Sequence, residues 1–146
     1  MEAGERTPGI LLTAPASGSG KTAAACALMA ALGEQGLDVR ACKCGPDYID
    51  PMFHREVLGL DSKNLDLFFS EPEELIRGYI RHTEGADIAV TEGVMGYYDG
   101  MTLDSDRASS YDVARTLDLP VLLILPCRGA SLSLAVSYTH LTLPTT

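Results

Sequence analysis

Short uninterrupted apolar runs alternate along this chain with longer stretches whose apolar residues recur at helical spacing. Gly9–Thr13 is a continuous apolar run, the pattern of a strand buried on both faces. Ala23–Leu32 is almost all Ala, Leu and Met and predicts a helix that starts near Lys21 and closes at Gly33–Gly36, where two glycines offer a cap. Asp38–Lys43 predicts a second strand, which runs into the turn signal Gly45-Pro46-Asp47. A short helix is expected around Met52–Leu58, closed by Gly59, while Lys63–Phe69 mixes Asn64 and Asp66 with apolar residues and reads as irregular. Ser70-Glu71-Pro72-Glu73 predicts a helix start with Ser70 as cap. Leu75, Ile76, Tyr79 and Ile80 then share one apolar helical face.

Asp87–Thr91 predicts the third strand, ending at Glu92-Gly93. Ser109–Leu117 predicts a helix capped by Ser109 or Ser110, Pro120–Leu125 a fourth strand that is the most apolar segment, and Arg128-Gly129 the opening of another helix. Strands alternating with helices predict an α/β fold around a mainly parallel sheet. Ser137–Thr146 is rich in Thr, Leu and Pro and shows no helical period. Residues 1–136 therefore read as the N-terminal part of a longer α/β domain, incomplete at its C-terminus, and 137–146 as a non-native-looking tail.

Composition narrows the functional classes. With 146 residues one domain is expected, and 46% hydrophobic with 21% charged residues is ordinary for a soluble globular protein. The net charge of −9 argues against a nucleic-acid partner or an anionic membrane surface, both of which favour a basic face. No apolar run reaches membrane-spanning length, and Met1–Thr7 is too polar for a signal peptide. Cys26, Cys42, Cys44 and Cys127 lack metal-site spacing and are expected to be reduced, buried thiols of a cytoplasmic protein. His54, His82 and His140 are scattered and read as surface or loop residues.

The chemistry concentrates in Ala14-Pro-Ala-Ser-Gly-Ser-Gly-Lys-Thr22, set between the first strand and the first helix. Strand, glycine-rich loop, Lys-Thr and helix form the context of a phosphate-binding loop. Gly18 and Gly20 let successive N–H groups point into one concavity, to which the helix adds its unpaired N–H groups and dipole. Lys21 would reach the outer phosphates, and the Thr22 hydroxyl is placed for Mg²⁺. The match is a variant, because Pro15 stands where the strict pattern has glycine.

In open parallel sheets, ligands bind outside the carboxyl ends of the strands. Thr22, Lys43, Asp47 and Glu92 all fall at such ends. One hydroxyl and two carboxylates make a reasonable Mg²⁺ set, and Lys43 would add positive charge where phosphoryl transfer develops negative charge. The alternative readings are a turn former for Asp47, a cap for Glu92 and a solvated lysine for Lys43. Asp50, Asp99, Asp104 and Asp106 read as loop acids on spacing alone. Tyr97-Tyr98 lies in a glycine-bounded loop beside Glu92, where two exposed tyrosines would either cover a substrate or pack the loop.

Four blocks carry a resemblance: Ala14–Thr22; Lys43-Cys-Gly-Pro-Asp-Tyr-Ile-Asp-Pro51 with Phe53-His54; Ser62-Lys-Asn-Leu-Asp66; and Glu92-Gly-Val-Met-Gly-Tyr-Tyr-Asp-Gly100. In this order they resemble the synthetase domain of the cobyrinic acid a,c-diamide synthases, over about residues 9–136. The resemblance implies a P-loop NTPase-like three-layer fold akin to dethiobiotin synthetase. It also implies ATP- and Mg²⁺-dependent amidation of two corrin carboxylates in cobalamin biosynthesis, with glutamine-derived ammonia as nitrogen source.

Carried over by residue, Ser17, Gly18, Ser19, Gly20, Lys21 and Thr22 would bind ATP. Thr22, Asp47 and Glu92 would hold Mg²⁺, Lys43 would contact the transferring phosphoryl group, and Tyr48 and Asp99 would position the corrin carboxylates. A homodimer is left open. The family also carries a C-terminal glutaminase domain, and none of the four cysteines stands in a Gly-x-Cys-x-Gly-like elbow, so this chain is expected not to hydrolyse glutamine. Alternatives are a dethiobiotin-synthetase-like enzyme, cobyric acid synthase, a nickel-sirohydrochlorin diamide synthase and, from another class, a partner-regulated ATPase switch of the septum-positioning type. The signature lysine of that last type is replaced here by Ala16.

Overall fold

Five short segments pair into a single sheet in the computed structural model, which describes residues 6–142. The strands are β1 (Gly9–Thr13), β2 (Val39–Cys44), β3 (Ser62–Leu65), β4 (Ile88–Glu92) and β5 (Val121–Leu123). Their order is β3-β2-β4-β1-β5, and every adjacent pair is parallel. The helices are α1 (Lys21–Glu34), α2 (Ile49–Leu58), α3 (Pro72–Thr83), α4 (Ser110–Leu117) and α5 (Ser133–Thr142).

Side chains alternate across a strand, so the sheet sorts its residues onto two faces. Leu12, Val39, Ala41 and Val90 face Ala25 and Met29 of α1. Leu11, Cys42, Cys44 and Ala89 face Leu75 and Tyr79 of α3 and Val113 and Leu117 of α4. The result is the expected three-layer α/β arrangement. By the same alternation Lys43 and Glu92 end their strands on the α1 side, two residues beyond Ala41 and Val90.

From β1 the chain crosses toward β2 and β3, whereas from β4 it returns past β1 to β5. This reversal puts a crevice at the carboxyl ends of β1 and β4, where open parallel sheets bind ligands.

Several elements differ from expectation. β3 replaces part of the segment read as irregular; its polar sequence is held by pairing with β2, from Ala41↔Ser62 to Cys44↔Leu65. α2 begins at Ile49 instead of Met52, because Asp47 Oδ1 accepts the Ile49 N–H at 2.8 Å and Pro51 is tolerated in a first turn. Glu71, not Ser70, is the N-cap of α3, and it contributes no side-chain cap bond. Ser109 caps α4, accepting from the Asp112 N–H at 3.1 Å.

β5 is shorter than the apolar run that contains it, and as the sheet-edge strand it is not buried: Val121 is 38% and Leu122 45% exposed. α5 starts later than Arg128 and continues through the tail to Thr142. Hydroxyls of Thr139 and Thr142 bond carbonyls four residues back, satisfying these side chains inside the helix without adding to its stability. No α5 residue is buried, although Tyr98 Oη donates to the Leu141 carbonyl at 3.0 Å. Residues 1–5 of the polar N-terminal stretch and 143–146 of the tail lie outside the described residues.

Candidate functional site

The phosphate-loop motif forms the connection from β1 to α1. Gly18 and Gly20 have φ of 74° and 90°. An added Cβ would meet nothing within 4 Å at either, so backbone conformation, not space, calls for glycine. Gly20 is the N-cap of α1, which has no side-chain cap and no acidic residue in its first turn. Its leading N–H groups thus remain free for an anion, with the dipole in their favour. Lys21 Nζ donates to the Ala16 carbonyl at 3.0 Å, folded back along its own loop, and Ser19 Oγ donates to the same carbonyl at 2.8 Å.

Opposite the loop stands Glu92, at the end of β4 and fully buried. Lys43 on β2 and Glu92 are register partners. Glu92 Oε1 accepts from Thr22 Oγ1 at 2.5 Å and from Lys43 Nζ at 3.0 Å. Lys43 Nζ also donates to the Gly93 carbonyl at 3.1 Å and to Asp50 Oδ2 at 2.7 Å, with Asp47 Oδ2 at 3.7 Å. One ammonium therefore ties together the ends of β2 and β4 and the first turn of α2.

These groups line a cleft of about 540 Å³, whose wall includes Ser17, Gly18, Gly20, Lys21, Thr22, Lys43, Asp47 and Glu92. That volume lies within the range of small-molecule sites. A cavity of about 450 Å³ beside Arg6, Arg77 and Arg81 shares no residue with it.

Tyr48 and Asp99 do not form part of this cleft's wall, although the Asp99 charge acts on Lys21. Tyr48 is 75% exposed, against a smaller hollow shared with Met52 and Arg55. Asp99 closes its own loop, accepting the Gly96 N–H at 2.8 Å. Tyr97 and Tyr98 are half-buried instead of exposed, because they pack on each other at 4.7 Å between ring centroids and on Tyr111 at 5.6 and 5.0 Å.

His54 overturns its surface reading. It is fully buried, with Nδ1 2.9 Å from Ser62 Oγ and Nε2 3.4 Å from Glu92 Oε2. Pro51, His54 and Leu58 follow at helical spacing on the inner side of α2, a signal that could have placed it there. Asp50, read as a loop acid, is a close partner of Lys43. Cys42 and Cys44 are buried, and burial pushes each thiol up to about 12. Cys26 is half-buried and Cys127 exposed, so the uniform burial expected of the cysteines does not hold.

The charges in the cleft are mutually biased. Burial alone would raise the Glu92 carboxyl, but His54, Thr22 and Lys43 outweigh it and hold it down at about 2. Burial opposes the Lys43 charge, yet Asp50 and Glu92 prevail and raise it. Lys21 is lowered, by burial first and then by Lys43. Asp50 is raised, by burial first, despite its bond to Lys43.

The oxygens of Thr22, Asp47 and Glu92 that line the cleft are the hard donors that Mg²⁺ prefers. Among the described residues no cluster of three or more His, Cys, Asp or Glu forms a metal cage.

Comparison with known proteins places this geometry. The family model described as the CobQ/CobB/MinD/ParA nucleotide binding domain matches residues 10–127. The chain belongs to this family. Within the nucleotide-binding domain family, it is 48% identical over 128 residues to a protein of Gloeobacter violaceus named cobyrinate a,c-diamide synthase, covering 88% of this chain and 28% of that protein. A Synechococcus protein of the same name is 42% identical over 126 residues, covering 86% and 28%. A Streptomyces coelicolor protein named hydrogenobyrinate a,c-diamide synthase is 43% identical over 134 residues, covering 92% and 28%. The chain thus spans little more than a quarter of the length of these relatives. Among the described residues, no helix of this nucleotide-binding domain is long and apolar enough to cross a membrane.

Proposed function

We propose that this domain binds ATP with Mg²⁺ and activates a corrin-ring carboxylate for amidation, as the synthetase part of a cobyrinate or hydrogenobyrinate a,c-diamide synthase. One observation carries the reading: relatives at 42–48% identity bear these two names across 86–92% of the chain. The cleft supplies compatible chemistry. A carboxylate is a poor electrophile, so its oxygen attacks the γ-phosphorus and the bond to ADP breaks. Ammonia then adds to the acyl carbon of the acyl phosphate, phosphate leaves with the former carboxylate oxygen, and a proton is lost.

Each residue has a task in this scheme. The loop from Ser17 to Gly20 and the start of α1 cradle the phosphates, and Lys21 leaves Ala16 to meet them. Thr22, Asp47 and Glu92 hold Mg²⁺, which neutralises phosphate charge when bound. Lys43 faces the developing charge of the transferred group. Tyr48 and Asp99, outside the cleft in this structure, are assigned to the ring substrate. Nitrogen arrives as ammonia, released from glutamine elsewhere in a longer protein or supplied free.

The test uses a protein carrying this chain at its relatives' full length, with ammonium, Mg·ATP and ring acid labelled with ¹⁸O in its carboxylates. Corrinoid-dependent ADP release with one ¹⁸O atom in each phosphate supports the scheme. ATP turnover indifferent to either ring acid, or unlabelled phosphate, rejects it.

A further inference from the structure

Glu92 is gripped unevenly. Its Oε1 takes two hydrogen bonds, from Thr22 and Lys43, while Oε2 is buried with no hydrogen bond. The atom facing Oε2 is His54 Nε2, at 3.4 Å, and that nitrogen has no other hydrogen-bond partner among the described residues. Both residues are fully buried, so neither atom is compensated by bulk water. The other ring nitrogen is engaged with Ser62 Oγ at 2.9 Å. Ser62 opens the edge strand β3, and His54 lies on α2, so the chain of contacts joins these two elements to the end of β4.

From this geometry we infer that His54 is a positioning residue for the Glu92 carboxylate, oriented in turn by Ser62. A carboxylate oxygen only accepts, so the facing Nε2 carries the proton. The Ser62 hydroxyl then donates to Nδ1, fixing that tautomer. With Oε2 steered from behind, the carboxylate cannot turn about its terminal bond, and Oε1 stays aimed at Thr22 and the cleft. Such outer contacts to a ligating carboxylate commonly change metal affinity by about 10–100-fold. The inference rests on the reading that Glu92 takes the Mg²⁺ of the bound nucleotide.

The test is nucleotide binding by the 146-residue chain itself, with ATP as probe at a series of Mg²⁺ concentrations. His54→Ala is expected to raise the Mg²⁺ concentration for half-maximal binding about tenfold, leaving binding of ATP without Mg²⁺ unchanged. His54→Gln, whose amide can donate to Oε2, should recover most of that loss, and Ser62→Ala should shift the half-point in the same direction as His54→Ala.

A second arm reads the ¹⁵N signals of the His54 ring in the wild-type chain, where the proton on Nε2 is expected. A folded His54→Ala chain with the wild-type Mg²⁺ half-point, or a ring proton on Nδ1, overturns the inference. If His54→Ala does not fold, the Gln and Ser62 variants and the ring signals decide it. If wild-type ATP binding ignores Mg²⁺, the metal reading of the cleft fails, while the ring signals still report whether His54 is locked onto Glu92.

Discussion

Lys43 Nζ lies 3.0 Å from Glu92 Oε1, and the two residues are register partners at the ends of adjacent parallel strands. The pair is a consequence of the sheet: an ordinary ladder contact, displaced by two residues from the Ala41↔Val90 pair of the core, becomes an ion pair at the mouth of the cleft. Because Glu92 is fully buried, removing its partner is costly. Lys43→Met should destabilise the fold by about 3 kcal/mol, since it removes the cation from a buried carboxylate that then keeps only Thr22 and His54. Urea unfolding checks this.

Asp47 has two separable roles in the structure. Its Oδ1 receives the Ile49 N–H and starts α2, while its Oδ2 faces Lys43 and the cleft. Asp47→Asn keeps an acceptor for the first-turn N–H groups of α2, so stability should change by less than about 0.5 kcal/mol. Asp47→Ala should lose about 1 kcal/mol. Both should weaken Mg²⁺-dependent nucleotide binding. Comparing thermal melts with binding isotherms for the two variants separates the roles.

Acid should unfold the domain partly through Glu92. Its folded carboxyl is held at about 2, below the ordinary 4.5, so the unfolded chain binds the proton more readily. The resulting stability is present above pH 4.5 and is lost as pH falls toward 2. Over that window this group adds a slope of up to about 1.4 kcal/mol per pH unit. Glu92→Gln should lack that part of the slope, measured as the difference between the two proteins' stability curves.

Gly93 follows Glu92, and its N–H donates to the Leu12 carbonyl of β1 at 2.8 Å. A Cβ there would lie 2.9 Å from both the Leu12 carbonyl and Ser110 Oγ, and 3.2 Å from Thr13 Oγ1. The first of these is backbone held by the sheet, so it cannot yield cheaply. Gly93→Ala should cost about 1–3 kcal/mol and disturb nucleotide binding through its neighbour. Chemical unfolding and ATP binding of the variant provide the check.

Much of this was legible because buried parallel strands announce themselves as unbroken apolar runs. β1 and the start of β4 do so, while β2 carries Arg40 and Lys43 among its apolar residues; the ends of β2 and β4 bring Lys43 and Glu92 into view, and the loop after β1 leads to Thr22. β3 is Ser-Lys-Asn-Leu and has no such signature, since its strand character comes from the partner it pairs with. His54 was hidden by polar neighbours along α2: its burial is set by packing against β3 and Glu92, contacts distant in sequence. Asp50 was obscure for the same reason, seven positions beyond the lysine it pairs with. The α5 helix buries nothing, so no hydrophobic pattern could mark its course through the tail.

The central claim is that the loop before α1 grips a nucleotide whose metal sits between Thr22 and Glu92. Calorimetric titration of ATP into the chain, with and without Mg²⁺, tests it most directly alongside Lys21→Ala. The account predicts saturable binding that Mg²⁺ strengthens and that Lys21→Ala weakens by roughly 100-fold, equivalent to about 3 kcal/mol. Binding of equal strength in wild-type and Lys21→Ala chains, or no binding to the wild-type chain at millimolar ATP, would contradict it.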